Sequence, residues 1–349
     1  MNSSLSDLLT EATKRSAHVR STFKVVSEAD SFEELAEIAQ RSNSFADLEE
    51  GGVNYLASWC VRVRQLDRTR FGKTLRSPLS REREATAGMT NLLQKFGGKV
   101  NLRNPDEMIY IFEGLTARKK FVLCRKLADG LENMSSIAPT TRKCVTSTPL
   151  RPSVAVSMAN IAKLQKNFNV LDPYAGSCST LLAAALVEPT CKTVGIERAH
   201  GGIVSFMKIQ EDFAVRKFTP LSGLIRGDSR DIAIRDKAIE AISGEEFDAI
   251  LTDPPYGIRE KVDEGCPPPL VELFQSIIED RERGKRLLRV GGRIIAFCPN
   301  RGEDDLTDKQ SELPSKEQMD RAGIKLVAMM KQPMNESLSR WLVVFECIE

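Results

Sequence analysis

From Ser153 to the C-terminus the sequence alternates between helix-like and strand-like segments. SVAVSMANIAKLQ reads as a helix and NVLD as a short apolar strand after it. KTVGIE, LIRGD and FDAILTD read as three further strands, with helical segments between several of them. PLVELFQSIIEDRERGKRLL reads as one long helix and GGRIIAFCP as the next strand, and IKLVAMMKQ and RWLVVFECI form a terminal pair of strands. Strands separated by crossover helices run parallel, so this alternation predicts an α/β fold with a doubly wound, mostly parallel sheet.

In such a sheet, ligands bind beyond the carboxyl ends of the strands. The first strand runs into Asp172-Pro173-Tyr174-Ala175-Gly176-Ser177-Cys178-Ser179, a turn of small residues that opens the helix TLLAAALV. Small residues let a backbone approach a ligand, although a tight strand-to-helix turn needs them for steric reasons alone. The second strand ends at Glu197, 25 residues after Asp172. An acid there can accept hydrogen bonds from both hydroxyls of a ribose, or stand as a solvated carboxylate. The third ends at Asp228, placed to receive an exocyclic amine or to cap the next segment. Taken in order along one sheet, these residues describe an adenosine cofactor. A dinucleotide would want G-x-G-x-x-G, and the first turn has only Gly176.

The fourth strand end, LTDPPYGIRE, narrows the chemistry. Two prolines fix the backbone and donate no hydrogen bond. The Asp253 carboxylate and the Pro254 carbonyl can both face a cleft as acceptors, and Tyr256 can stack on a flat ring. The arrangement suits the exocyclic amine of a nucleobase, whose lone pair is delocalised into the ring. Two acceptors on its N–H groups would turn that lone pair towards an electrophile and stabilise the charge that develops. Neither a metal nor a histidine base is needed, and the chain has only His18 and His200.

A chain of 349 residues has room for two or three domains. One helix is expected within residues 30–50, capped by Asp30 or Ser31, and a strand after Trp59 in YLASWCVRVRQ. A helix should run from about Ser80 to Gly97-Gly98. KVNLRNPDEMIYIFEG follows as a short strand, a turn at Asn104-Pro105-Asp106 and a second strand, Met108 to Phe112. FVLCRKL completes an α/β unit that ends near residue 130, and a Ser/Thr/Pro-rich connector leads on. No element is assigned before residue 30.

Charge is uneven. Residues 60–126 hold 16 Lys/Arg against 6 Asp/Glu, whereas residues 1–59 hold 5 against 10. Arg62, Arg64, Arg68, Arg70, Lys73 and Arg76 lie close in sequence, and Arg118, Lys119 and Lys120 follow a strand. Such a stretch suits a surface that meets phosphates; the competing reading is a solvated charged face. Arg62 and Arg64, two apart on a strand, should share one face away from the core. Eight scattered cysteines form no C-x-x-C pair, which suggests neither a zinc site nor a disulfide framework. Reduced thiols point to an intracellular protein, cytoplasmic or nuclear. No run of about 18 apolar residues predicts a membrane span.

On these residues the chain resembles the class I S-adenosylmethionine-dependent methyltransferases that modify amino groups with an (N/D)PP(Y/F) motif. It is most similar to the RNA guanosine-N2 methyltransferases with an N-terminal THUMP domain, which include makers of N2-methylguanosine in tRNA. TSTPLRPSVAVSMANIA, NVLDPYAGSCSTLLAAAL, TVGIE, RGDSRD, LTDPPYGIRE, GGRIIAFCP and the terminal strands carry the resemblance. WCVRVRQ through KVNLRNPDEMIYIFEG resembles THUMP. The resemblance implies a Rossmann-like methyltransferase domain over residues 148–349, its sheet mostly parallel with an antiparallel terminal strand. It implies an α+β, THUMP-like RNA-binding domain within residues 1–147. The cofactor it implies is S-adenosylmethionine, and the reaction is methylation of a guanosine N2 amine in tRNA. Another structured RNA, adenine in DNA, and a non-catalytic RNA-binding protein with a decayed pocket stay open as alternatives.

Carried over by position, Asp172, Tyr174, Gly176 and Ser177 would line the methionine part of the cofactor. Glu197 would bind its ribose and Asp228 its adenine. Thr148 and Pro149 would approach its carboxylate end. Asp253, Pro254 and Tyr256 would hold the guanine, while Arg118, Lys119 and Lys120 would meet the RNA backbone. No metal is implied in the chain itself. Besides tRNA, eukaryotic members suggest a small zinc-binding activator subunit as partner. Cys178 stands where the family usually has glycine, so a positive φ there would strain it.

Overall fold

Two separate apolar clusters organise the chain in a computed structural model. The structure describes residues 4–66, 78–131, 134–146, 149–198, 204–255, 266–300, 312–334 and 339–349. Residues 1–14 with 19–132 form one compact unit, and residues 15–18 with 133–349 form the other.

The first unit contains α1 (Leu5–Lys14), β1 (Ser21–Ala29), α2 (Phe32–Arg41), β2 (Trp59–Gln65), α3 (Pro78–Gly88), α4 (Thr90–Leu93), β3 (Glu107–Glu113) and β4 (Phe121–Asp129). Its four strands pair in the order β1-β4-β3-β2. β2 and β3 are parallel, and the other pairs are antiparallel. Val61 and Val63 join the buried cluster with Ile109, Ile111 and Leu123. Arg62 and Arg64 alternate with them, opposite Tyr110 and Phe112, and so share the other face as expected.

Several local expectations change. Ser31, not Asp30, caps α2 by accepting from the Glu34 N–H at 3.1 Å. The helix expected from Ser80 to Gly97 is broken after Gly88, where a Cβ would meet the Phe32 Cβ at 2.6 Å. The short strand at KVN reduces to a single bridge from Trp59 to Val100. α1 and β1 were not foreseen. β1 pairs with register shifts at Thr22/Phe23 and Val25/Ser27, so it lacks the period-two pattern by which a strand is read.

The second unit contains α5 (Pro152–Ile161), β5 (Asn169–Asp172), α6 (Ser179–Val187), β6 (Lys192–Glu197), α7 (Phe206–Val215), β7 (Gly223–Arg226), α8 (Ile232–Glu240), β8 (Phe247–Thr252), α9 (Pro269–Glu282), β9 (Leu288–Asn300), α10 (Lys316–Ala322), β10 (Ile324–Pro333) and β11 (Ser339–Cys347). α9 stops short of the expected Leu288. After Arg283 the chain turns left-handed at Gly284, φ +79°. The N–H groups of Gly284 and Lys285 return to Arg281 and Asp280, which is a Schellman closure.

The sheet order is β10-β11-β9-β8-β5-β6-β7. All strands run parallel except β11, which is antiparallel to both β9 and β10. This is the Rossmann-like class I methyltransferase arrangement. The strand ends do not fall in chain order, however: β8 lies on the far side of β5 from β6. The order therefore reverses between β5 and β8, where open α/β sheets bind their ligands.

A buried ion pair ties α8 to α9. Arg235, 1% exposed, donates to Asp280 at 2.9 and 3.0 Å, and to the carbonyls of Ser229 and Arg230 at 3.0 and 2.7 Å. Arg235→Ala would leave the fully buried Asp280 carboxylate to Arg283, which also pairs with it at 2.8 Å, and should cost about 1–3 kcal/mol. Urea denaturation of wild type against variant measures it; a loss under 1 kcal/mol would contradict this account.

Candidate active site

Pairing between β5 and β8 sets the frame. Val170 opposes Ala249 and Leu171 opposes Ile250, which brings the ends at Asp172 and Thr252 to one edge of the sheet. Asp172 is 2% exposed. It accepts from the Tyr174 N–H at 3.0 Å and from the Thr180 hydroxyl, which ties the strand end to the start of α6. Burial pushes its carboxyl up to about 7, against those two donors, and the nearby Asp253 charge pushes the same way. The Tyr174 hydroxyl donates to the Pro269 carbonyl at 2.9 Å, and burial raises its pKa.

The turn between Asp172 and α6 packs against β6. Ala175 N–H donates to the Ile196 carbonyl at 2.9 Å. A Cβ on Gly195 would sit 2.9 Å from the Ala175 Cβ, so the approach demands glycine. Gly176 has φ +50° and donates its N–H to the Glu197 carboxylate at 2.7 Å. Glu197 is thus more than a solvated strand end: it anchors the turn. Ser177 is 3% exposed. Cys178 is fully buried at φ +61°, ψ +36°. The strain expected of a cysteine there is present, at about 1–2 kcal/mol. Burial raises the thiol well above its usual range, so it is a poor nucleophile.

Asp228 is held by its own loop. Its oxygens accept from Arg230 N at 2.9 Å, Nε at 3.0 Å and Nη2 at 2.6 Å. Arg230 beside it holds the carboxyl below its usual range. Asp231 rather than Asp228 caps α8, accepting from the Ala233 N–H at 2.9 Å. Asp253 lies just past β8, with a side chain 22% exposed, and Pro254 next to it is buried. Arg340 of β11 donates to both Asp253 oxygens, at 3.1 and 3.2 Å. The Arg340 guanidinium lies 3.6 Å from the Phe297 ring centroid and also donates to Gln332 at 2.8 Å. Pro149 is half-buried. Thr148 and Tyr256 lie outside the described residues.

Sequence reasoning thus located the acids and missed the arginines that hold them. Arg340 was findable. It is in phase with buried Leu342 and Val344 on β11, where a charge needs a partner.

In the first unit, Arg118, Lys119 and Lys120 lie between β3 and β4. Asp30 accepts from the Lys119 ammonium at 2.8 Å and from the Lys120 N–H at 3.1 Å. The Lys119 contact draws the Asp30 carboxyl down and the lysine up. Part of the basic excess is paired internally. Arg62 meets Glu82, Arg81 meets Glu113, and Arg125 meets Asp47 and Glu107. Arg68, Arg70, Lys73 and Arg76 lie outside the described residues.

The topology and the acid-bearing strand ends define a class I methyltransferase domain. Residues 139–223 match the UPF0020 family model, described as an RMKL-like methyltransferase domain. Among curated relatives, the tRNA (guanine(10)-N2)-dimethyltransferase of Methanocaldococcus jannaschii is 26% identical over 247 residues, 68% of this chain and 65% of that protein. The tRNA (guanine(10)-N(2))-methyltransferase TRMT11 of Gallus gallus is 30% identical over 186 residues, 47% of this chain and 39% of that protein. The chain thus spans less than two thirds of the length of either. The solved structure of TrmN from Thermus thermophilus has a TM-score of 0.41 and 17% identity, covering 94% of this chain and 82% of that chain. A likeness of that size adds nothing to the topology. Among the described residues no helix is long and apolar enough to cross a membrane.

The raised Asp172 makes a pH prediction. The folded chain holds this proton more tightly than the unfolded one, whose carboxyl titrates near 3.8. Stability through this group is therefore greatest below about 4 and falls as pH rises to about 7. Asp172→Asn keeps the acceptor for Tyr174 N–H and removes the titration. Chemical denaturation from pH 4.5 to 7.5 should show the variant gaining on wild type as pH rises, by an amount on the order of a few kcal/mol. A constant difference would contradict the assignment.

Proposed function

We propose that the protein is an S-adenosylmethionine-dependent methyltransferase acting on the exocyclic N2 amine of a guanosine in tRNA. The observation that carries the reading is the position of Asp253-Pro254 across the β5–β8 reversal from the turn at 172–178. The relatives' names supply the guanine and the tRNA.

The residues present suit the cofactor. Asp172 is a buried carboxyl near neutrality, whose ionised form a sulfonium cation would favour. Gly176 leaves room, since among the described residues a Cβ there would meet only Thr146 Cγ2, at 3.9 Å. Glu197, anchored by the Gly176 N–H, would receive the ribose hydroxyls. Asp228, paired with Arg230 and with Arg198 at 3.4 Å, would face the adenine amine with its carboxylate already oriented. When bound, S-adenosylmethionine supplies an electrophilic methyl group. Tyr174, Ser177, Thr148 and Pro149 would complete the site.

The chain's own work falls to the substrate side. Pro254 carbonyl and Asp253 carboxylate accept the N–H groups of the amine and aim its lone pair. The Asp253 charge stabilises the positive charge that grows on nitrogen during attack. Arg340 fixes the carboxylate's orientation, and Tyr256 would stack on the base. In the first unit, a THUMP-like RNA-binding domain would grip the RNA backbone through the loop at Arg118, Lys119 and Lys120. A small zinc-binding activator subunit belongs to this reading as a second partner.

The test is direct. The protein, with and without such an activator, is incubated with unmodified tRNA and labelled cofactor, and the methylated nucleoside is identified. N2-methylguanosine is expected; label on adenine N6 would replace this reading with another.

Two substitutions should separate the halves of the site. Asp253→Ala should lower the methylation rate on the order of 10²–10³-fold with cofactor affinity largely kept. Glu197→Ala should weaken cofactor binding by roughly 1.5–3 kcal/mol. Calorimetry with S-adenosylmethionine checks both, and affinities falling together in the two variants would contradict the division. For the RNA loop, charge-neutral replacement of Arg118, Lys119 and Lys120 should weaken tRNA binding. It should also flatten the salt dependence by up to about one unit per lost phosphate contact. Affinities measured over a salt series check this, and unchanged slopes would make the loop a solvated face.

A further inference from the structure

The segment before α5 is fastened to α7 on both sides of Arg142. Asp212, fully buried on α7, accepts from the N–H groups of Lys143 at 2.8 and 3.0 Å and of Cys144 at 3.0 Å. Arg216, one turn later, pairs with Asp212 at 2.9 Å and donates to the carbonyls of Ser136 at 2.8 Å and Thr141 at 3.0 Å. The segment cannot slide, so Arg142 has a fixed origin.

From there Arg142 reaches the turn ahead of α6. Its Nη1 donates to the Ser179 hydroxyl at 2.7 Å, and its Nη2 donates to the Ser177 carbonyl. These two contacts bracket Cys178, the one residue of the turn in a left-handed conformation that its side chain disfavours. The Arg142 Nε is buried with no partner among the described residues. Burying that donor has a cost, and the contacts to the turn are what offset it.

We propose that Arg142 is a positioning residue that clamps residues 177–179 in the left-handed bend and so holds the cofactor turn in its binding shape. The proposal rests on reading that turn as part of the S-adenosylmethionine site. Where glycine would adopt the bend without strain, this chain has cysteine, and the guanidinium supplies the restraint from outside. Arg142 and Cys178 are therefore coupled: the clamp matters because the residue inside it resists.

A double-mutant cycle tests this. S-adenosylmethionine affinity is measured by calorimetry for wild type, Arg142→Ala, Cys178→Gly and the double variant, with tRNA affinity and thermal unfolding alongside. Arg142→Ala should weaken cofactor binding about tenfold and leave tRNA affinity unchanged. In the Cys178→Gly background the same change should cost under threefold. Arg142→Lys, a single-point donor, should fall between, and it serves as the probe should the alanine variant not fold. Equal losses in both backgrounds would overturn the clamp, as would an unchanged affinity in Arg142→Ala. A wild-type protein that binds no S-adenosylmethionine would overturn the cofactor reading itself, and the clamp with it.

Discussion

Two rungs of parallel pairing, Val170 to Ala249 and Leu171 to Ile250, place everything the site needs. They seat β8 on the opposite side of β5 from β6, so connections leave the sheet in opposite directions at that point. The gap this opens is flanked by Asp172 and its turn on one side and Asp253-Pro254 on the other. Their closeness is felt electrostatically, since the Asp253 charge helps raise the Asp172 carboxyl. Had β8 followed β7 in space, the two motifs would lie at opposite ends of four strands.

Around that gap, acids are fixed by arginines or amides rather than left to solvent. Arg340 holds Asp253, Arg230 holds Asp228, and the Gly176 N–H holds Glu197. A carboxylate restrained in this way loses little freedom when a ligand arrives, so its remaining acceptor directions are already aimed. The same restraint makes the set of each acid dependent on a neighbour. Asp228 is further removed still, because Arg235 grips the carbonyls of Ser229 and Arg230 from a buried pair with Asp280.

Much of this was legible in the sequence. Asp172, Glu197, Asp228 and Asp253 announced themselves as acids ending apolar strands, and helix–strand alternation gave the parallel sheet. Spatial strand order was not legible, because periodicity records neighbours in the chain and not across a sheet. Arg340 is legible as a charge in phase with buried residues of β11, but its pairing with Asp253, 87 residues away, is not. β1 escaped because its register shifts erase alternation, and the close approach of Phe32 to Gly88 comes from another helix, which local sequence does not record. Cys178 shows the opposite case: the resemblance places glycine at this position, and the backbone there is left-handed.

The central claim is that cofactor and base meet across the β5–β8 reversal. A crystal structure with S-adenosylhomocysteine tests it most directly. The account predicts density beyond the carboxyl ends of β5 and β6, in contact with the 172–178 turn and Glu197 and open towards Asp253. Density elsewhere, such as in the apolar cleft lined by Cys298, Leu313, Met329 and Trp341, would contradict it.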